Sequence, residues 1–528
     1  MTRRKTVPRF HVRPTGWVPV ACLAAVAGLT WLALAAVHHA RVPHSSAAGP
    51  KTSAAGPASP PAHVCGNAAV LGAGPVSTPP GAVTVPAGDN SSVNWGRAKT
   101  IYWLAPGMHT LGAGAYTQVT PGSGSTYIGA PGAILDGRRT NFYAFGGGAS
   151  GVRISYLTVK DFGTNGGNRD EGVVNHNSAS GWTIDHSTIL DNAGAGTMLG
   201  SNNTLSYDCL ENNQQYGFNA YSPAGPANLV LDHNEIANND TYDWEARDHG
   251  CGCTGGGKFW DVNGAVITDN WVHGNHSAGL WADTNNRGFD IEGNYIEGNY
   301  NSGLIYEISY NALVKDNTFV RNGLVTGPTN PGFPTGAIYL SESGSDLRVP
   351  GKYASTLLVT ENRFIDNWGG VILWENSNRF CNSPANTSSG VCTLVYPAVA
   401  TVGSCNRRNI VHSPYYDDCR WKTQHVSVYH NVFDFNPASI GPSCTLAKEC
   451  GFQGMFSEYG TYPSWSPYQG TVVEKHITFV QDNHFVSNTY HGPWRFMALE
   501  QGDVLSWGRW RASPYDQDAG STLNGRGE

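Results

Sequence analysis

Three carboxylates recur at one offset in the middle of this 528-residue sequence. The phrases GKFWD, GLWAD and GLIYE each open on a glycine and close four residues later on an acid. They place Asp261, Asp283 and Glu307 after Gly257, Gly279 and Gly303. GAIYLSESG adds Glu342 and GGVILWENSN adds Glu375, and Trp260, Trp281, Tyr306 and Trp374 stand beside these acids. Aromatic faces next to carboxylates suit a sugar groove, because rings stack on aromatics while acids meet hydroxyls. Two such carboxyls about 5 to 5.5 Å apart retain configuration in glycoside hydrolysis, and about 6.5 to 9.5 Å apart they invert it. Lys258 is the cation of the group, expected to pair with one of the acids.

The spacing says what must position them. Asn270, Asn294 and Asn317 sit in the repeated phrases ITDNWVHGN, IEGNYIEGN and VKDNTFVRN at intervals of 24 and 23 residues. A steady period in the low twenties marks a solenoid. Short β-rich runs separated by polar turns predict parallel strands stacked about 4.8 Å apart, with side chains alternating inward and outward. If Leu280 and Leu304 point inward, Asp283 and Glu307 point outward; the same parity puts Glu342 outward and leaves Glu375 ambiguous by one residue. Equivalent positions then lie roughly 5 Å apart on adjacent coils. The corner asparagines, continuing as Asn362, Asn431 and Asn483, are expected to form a structural ladder without chemistry. Gaps in the period predict inserted loops at 323–335, 343–354, 378–424 and 438–469.

These phrases, with DEGVVNHNSASGWTI (170–184), GCGCTGGGKFWDVNGA (250–265), GLIYEISYNA (303–312) and PYDQDAGST (514–522), carry a resemblance. The chain resembles right-handed parallel β-helix proteins of the pectin-lyase-like superfamily, and especially a group of secreted actinobacterial β-helix repeat proteins. The resemblance implies an all-β, right-handed parallel β-helix from 65 to 510, followed by a tail at 511–528. The wider superfamily implies uronate lyases, epimerases, hydrolases and non-catalytic adhesins. Its lyases use calcium to neutralise a uronate carboxylate, so calcium held by the acids is the alternative to their acting as catalysts; no other cofactor is implied.

The N-terminus predicts export. A basic leader (1–16) precedes an uncharged apolar run from Trp17 to Val37, long enough to span a bilayer with the N-terminus in the cytoplasm. A membrane anchor is the expectation, with a cleaved signal peptide as its rival. A Pro/Ala/Ser linker fills 38–64. Cysteine usage agrees with an oxidising compartment: close pairs at Cys381/Cys392, Cys405/Cys419 and Cys444/Cys450 predict local staples, and Cys251-Gly-Cys253 is read as disulfide-bonded rather than zinc-binding. Only 14% of residues are charged and the net charge is −7, which excludes the basic footprint of nucleic-acid binding.

The sequence therefore predicts an exported, monomeric β-helix acting on polysaccharide. Cleavage is assigned to Asp283 and Glu307, supported by Asp261 and Glu342, with Trp281, Tyr306, Trp260, Lys258, Trp374 and Glu375 holding substrate. The alternatives are a calcium-dependent uronate lyase or epimerase, with His176 and the Arg247-Asp248-His249 stretch near the groove, and a non-catalytic glycan-binding or surface-structural solenoid.

Overall fold

The computed structural model describes residues 56–174, 179–222, 226–330, 333–385, 392–458, 462–500 and 502–525. Trp17–Val37, the first part of the linker, Cys22 and His176 lie outside the described residues. Among the described residues, no helix is long and apolar enough to cross a membrane.

The chain winds through three long sheets among the described residues, the early coils giving strands to the first two alone and most later coils one strand to each. The first sheet runs from Val83–Val85 to His484–Val486 and holds 13 strands. The second runs from Gly88–Asp89 to Thr522–Asn524 and holds 14. The third starts later, at Gly172–Val174, and holds 11. Neighbours pair in parallel throughout, except that Val504–Leu505 closes the third sheet antiparallel to Arg495–Glu500. Parallel pairing carries each inward side chain directly above its equivalent in the next coil. Phe319, Phe364, Phe433 and Tyr490 stack this way, with ring centroids 5.1, 4.4 and 4.9 Å apart.

Two asparagine ladders hold the corners. One joins Asn234, Asn270, Asn294, Asn317, Asn362, Asn431 and Asn488; the other joins Asn192, Asn213, Asn239, Asn275, Asn299, Asn322 and Asn367. Asn270 shows the pattern. Its Oδ1 accepts from the backbone N–H and the Nδ2 of Asn234, both at 2.9 Å. Its Nδ2 donates to Leu231 O and to Asn294 Oδ1, also at 2.9 Å. Each amide satisfies a buried turn that water cannot reach. The first ladder ends on Asn488 rather than Asn483, whose Oδ1 accepts instead from Val426 N at another corner.

Three further boundaries differ from the sequence reading. The tail at 511–528 contributes the strand Thr522–Asn524 to the second sheet, and the loop assigned to 438–469 contains Phe452–Glu458, a full strand of the third. Both were hidden because long insertions break the period around them. The end of the linker is not a free spacer. Residues 57–75 lie along the solenoid as a strap: Thr318 Oγ1 donates to Pro57 O at 2.7 Å, Cys65 is bonded to Cys209, and Trp103 Nε1 donates to Pro75 O at 2.9 Å. Midway, the Glu235 carboxylate accepts from Val64 N (2.6 Å), Cys65 N (2.8 Å), His63 (3.0 Å) and His273 (2.9 Å). Burial pushes that carboxyl up, but these hydrogen bonds outweigh it and hold the pKa at about 2. The three local disulfide staples form as expected, and Cys251 is bonded to Cys253.

Asp208 occupies the place of an asparagine in the first ladder. Its Oδ1 accepts from Ser187 N at 2.8 Å and its backbone N–H donates to Asn234 Oδ1 at 3.0 Å. Its buried Oδ2 has no partner, and burial raises the carboxyl far above its ordinary value. The folded state thus holds a proton that the unfolded chain releases above a pKa of about 3.9. Asp208 therefore costs stability as pH rises from there toward its folded pKa. Asp208→Asn is expected to gain about 1–2 kcal/mol at pH 7 and almost nothing at pH 3, read by denaturant melts at the two pH values.

Candidate functional site

The acids lie along the third sheet and its corners, and the register of the sheet decides which of them meet. Gly257, Lys258 and Phe259 pair with Leu280, Trp281 and Ala282, which pair in turn with Leu304, Ile305 and Tyr306 on the next strand. The strand Gly257–Trp260 is therefore set one residue differently from an alignment on the glycines. Asp261 has left the strand: it is at φ 51°, with Asn285, Ile308 and Glu342 at 66°, 46° and 47°. It belongs with the left-handed corners and not with Asp283 and Glu307. Glu342 is at such a corner too, so strand alternation no longer governs its direction, and it is fully buried.

A chain of ion pairs and hydrogen bonds runs across the coils. The Lys258 ammonium is 2.9 Å from Asp283 Oδ2 and donates to Gly252 O. It lies 4.1 Å from the centre of the Trp281 ring and 6.0 Å from that of Trp260. Asp283 Oδ1 accepts from the N–H and hydroxyl of Thr284 at 2.7 and 2.9 Å. Trp281 Nε1 donates to Glu307 Oε2 at 3.2 Å. Arg379 Nη1 bridges Glu307 to Glu342, reaching Glu342 Oε2 at 3.0 Å. Glu342 also accepts from Asn376 N at 2.6 Å and from the Ser341 hydroxyl. Glu375 is buried deeper, held by Arg420 at 3.1 Å, Gln481 Nε2 at 2.6 Å and Thr423 N at 3.1 Å.

The electrostatics follow from this pairing. Burial alone would raise the Asp283 carboxyl, but the Lys258 charge and the Thr284 donors hold it below the usual range. Burial raises Glu342 to about 7, because the Arg379 charge and the Ser341 hydroxyl only partly offset desolvation. The open carboxylate groove expected from parity is thus a covered row: Asp283 and Glu307 are each 7% exposed. Lys258 and Arg379 already pair with these acids.

The aromatic residues divide in the same way. Trp260 and Trp281 are half-buried on the outer face beside Lys258. Tyr306 points into the solenoid core, where its hydroxyl donates to Tyr310 O at 3.0 Å, as parity from Leu304 requires. Trp374 packs in an apolar cluster with Ile372, Phe452, Phe456 and Met497. Neither Tyr306 nor Trp374 is placed to stack on a sugar, and the buried Glu375 cannot touch one.

Sequence reasoning missed Arg379, which comes from the 378–424 insertion just after the Glu375 strand. It also missed the roof over Lys258. Cys251–Cys253 closes a tight loop around Gly252, which is at φ +58° and where an added Cβ would stand 3.3 Å from the Trp281 ring. Glu245 fastens that loop by accepting from Gly252 N at 3.1 Å. Nearby, Arg169 pairs with Asp248 at 2.7 Å.

Residues 171–351 match the family model described as "Right handed beta helix region". The three stacked parallel sheets extend the same parallel β-helix fold well beyond that stretch. Among solved structures, the A-module of the Azotobacter vinelandii mannuronan C-5 epimerase AlgE6 is similar at 15% identity, with 67% of this chain and 84% of that one covered and a TM-score of 0.42. The alginate lyase AlyF-OU02, solved in complex with G6, is similar at 11% identity, with 86% and 87% covered and a TM-score of 0.36. PfbA, a surface adhesin of Streptococcus pneumoniae, is similar at 10% identity, with 56% and 79% covered and a TM-score of 0.30. Comparison with curated proteins finds no match.

Removing Arg379 leaves Glu307 and Glu342 without their shared cation. Arg379→Met is expected to cost roughly 3 kcal/mol or more in a denaturant melt at pH 8. Adding Glu342→Gln is expected to recover part of that loss. Because the folded pKa of Glu342 is raised above its unfolded value, its contribution is present at low pH and is lost as pH rises through about 7. Glu342→Gln alone should therefore flatten the fall in stability between about pH 4.3 and 7.

Proposed function

We propose that this protein acts on an acidic polysaccharide lying across the outer face of the third sheet, with chemistry at Lys258 and Asp283. The observation that carries the reading is the Lys258–Asp283 pair, 2.9 Å apart and set beside the two half-buried indoles of Trp281 and Trp260. Each side chain of the pair keeps 10% of its surface exposed. Sugar rings stack on the indoles, and Lys258 meets the uronate carboxylate. Asp283, kept ionised, is the base for the proton next to that carboxylate. Lyase or epimerase chemistry on a uronate polymer needs this pairing of a cation with a base.

Hydrolysis by Asp283 and Glu307 is the weaker reading, because it needs one of the two to deliver a proton. Lys258 favours the ionised form of Asp283, while Arg379 and the Trp281 N–H occupy the oxygens of Glu307. A second reading, a non-catalytic glycan-binding solenoid, is favoured by the same network, since each acid of the row already has an internal partner. The five disulfides suit an exported protein.

The test is incubation of the protein with neutral and acidic polysaccharides, with and without calcium. Reducing ends, ultraviolet absorbance of unsaturated uronate and exchange of the C5 proton are read together. Absorbance or C5 exchange on a uronate polymer is expected, falling at least 100-fold in Asp283→Asn while Trp281→Ala raises KM. Reducing ends without absorbance would favour hydrolysis. Binding without turnover would favour the scaffold.

A further inference from the structure

A different chemistry is assembled at the corner between the first and second sheets, away from the acid row. One residue per coil turns this corner in the left-handed conformation: Tyr156, His186, Tyr207, His233 and Asp269, with φ between 51° and 56°. The first four rings stack face to face, their centroids 5.2, 5.1 and 4.8 Å apart. The stack stops at His233, and the next coil presents the carboxylate of Asp269. Asp232, the last residue of the strand Pro226–Asp232, adds a second carboxylate from the coil of His233.

The donor atoms converge. One ligand atom from each of Asp232, His233 and Asp269 lies within 4.8 Å of the others. His233 Nδ1 is 2.9 Å from Asp232 Oδ1, yet it is enclosed and makes no hydrogen bond. The contact is close without the alignment of a donor and an acceptor. Both protein ligands of that coil are held in place: the Tyr207 ring stacks on the imidazole, and Thr268 Oγ1 donates to Asp232 Oδ1 at 2.8 Å. Asp269 is left uncovered because the next corner residue is Gly293, where a Cβ would stand 2.7 Å from Asp269 Oδ1. A cavity of about 120 Å³, lined in part by His233, Asp269, Tyr207 and Trp271, opens beside them and has room for water.

We propose that Asp232, His233 and Asp269 bind a divalent transition-metal ion of the zinc type. One imidazole nitrogen and two carboxylate oxygens, with water from the cavity as a fourth ligand, match its tetrahedral N/O preference. Two carboxylates and a neutral imidazole balance the charge of the ion. The stacking of Tyr207 and the Thr268 hydrogen bond supply the orienting contacts that a metal site needs around its ligands. The bound ion ties two neighbouring coils together at their corner.

The experiment uses the full chain, stripped with chelator and then titrated calorimetrically with zinc chloride and, separately, with calcium chloride. The expected result is one zinc ion per chain, bound at least tenfold more weakly by Asp269→Asn and by His233→Gln, with calcium failing to compete at equal concentration. Asp269 is exposed, so its variant tests the site even if His233→Gln does not fold. Absence of zinc binding, binding indifferent to both substitutions, or equal competition by calcium would each overturn the proposal.

Discussion

A buried turn must satisfy its backbone groups without water, and in this protein asparagine amides at successive corners do so. Each amide reaches the coil before it and the coil after it, so no corner is complete alone. The same bonds fix the register of the strands between corners. A slip of one residue would turn every inward side chain outward and break both ladders at once. The columns of Phe319, Phe364, Phe433 and Tyr490 inside, and of Lys258 and Trp281 outside, are consequences of that register.

The outer face of the third sheet shows what happens when polar side chains share such a column. Stacked carboxylates repel unless cations intervene, and here the cations come from two sources. Lys258 belongs to the sheet, whereas Arg379 and Arg420 come from the 378–424 insertion. The insertion converts what would be an exposed acidic stripe into a largely enclosed network. Beside the row, Trp260 and Trp281 stay only half-buried. The roof over Lys258, built from Gly252 and the Cys251–Cys253 bridge, borders Trp281.

Much of the fold was legible because periodicity is a property of the sequence itself: the repeated asparagines and glycines give the coil, the sheets and the inward faces. The site was legible in its residue types and less so in its geometry. Aligning on glycines put Asp261 with Asp283, because a coil with one more residue before its corner looks the same in the text as one without it. Parity mis-aimed Glu342 because alternation stops where the chain turns left-handed. It had already implied that Tyr306 points inward, and the attraction of an aromatic beside an acid overrode that implication. Arg379 was out of reach, since no local pattern says where a long insertion returns to the sheet. The strap before Cys65 was invisible for the same reason: its composition is that of a linker, and only Glu235 and Cys209, far along the chain, give it a place to lie.

That strap changes how the molecule carries force. Cys65 and Cys209 are 144 residues apart in sequence and are joined directly, so the coils between them lie inside a closed covalent ring. Tension applied ahead of the strap meets the hydrogen bond between Thr318 and Pro57 first, and its covalent entry into the solenoid is at the Cys209 coil, partway along the flank. There it acts across many stacked coils in shear, while the first coils remain outside the load path. A solenoid pulled at its end unzips one coil at a time; one held by the flank has to yield over many coils together.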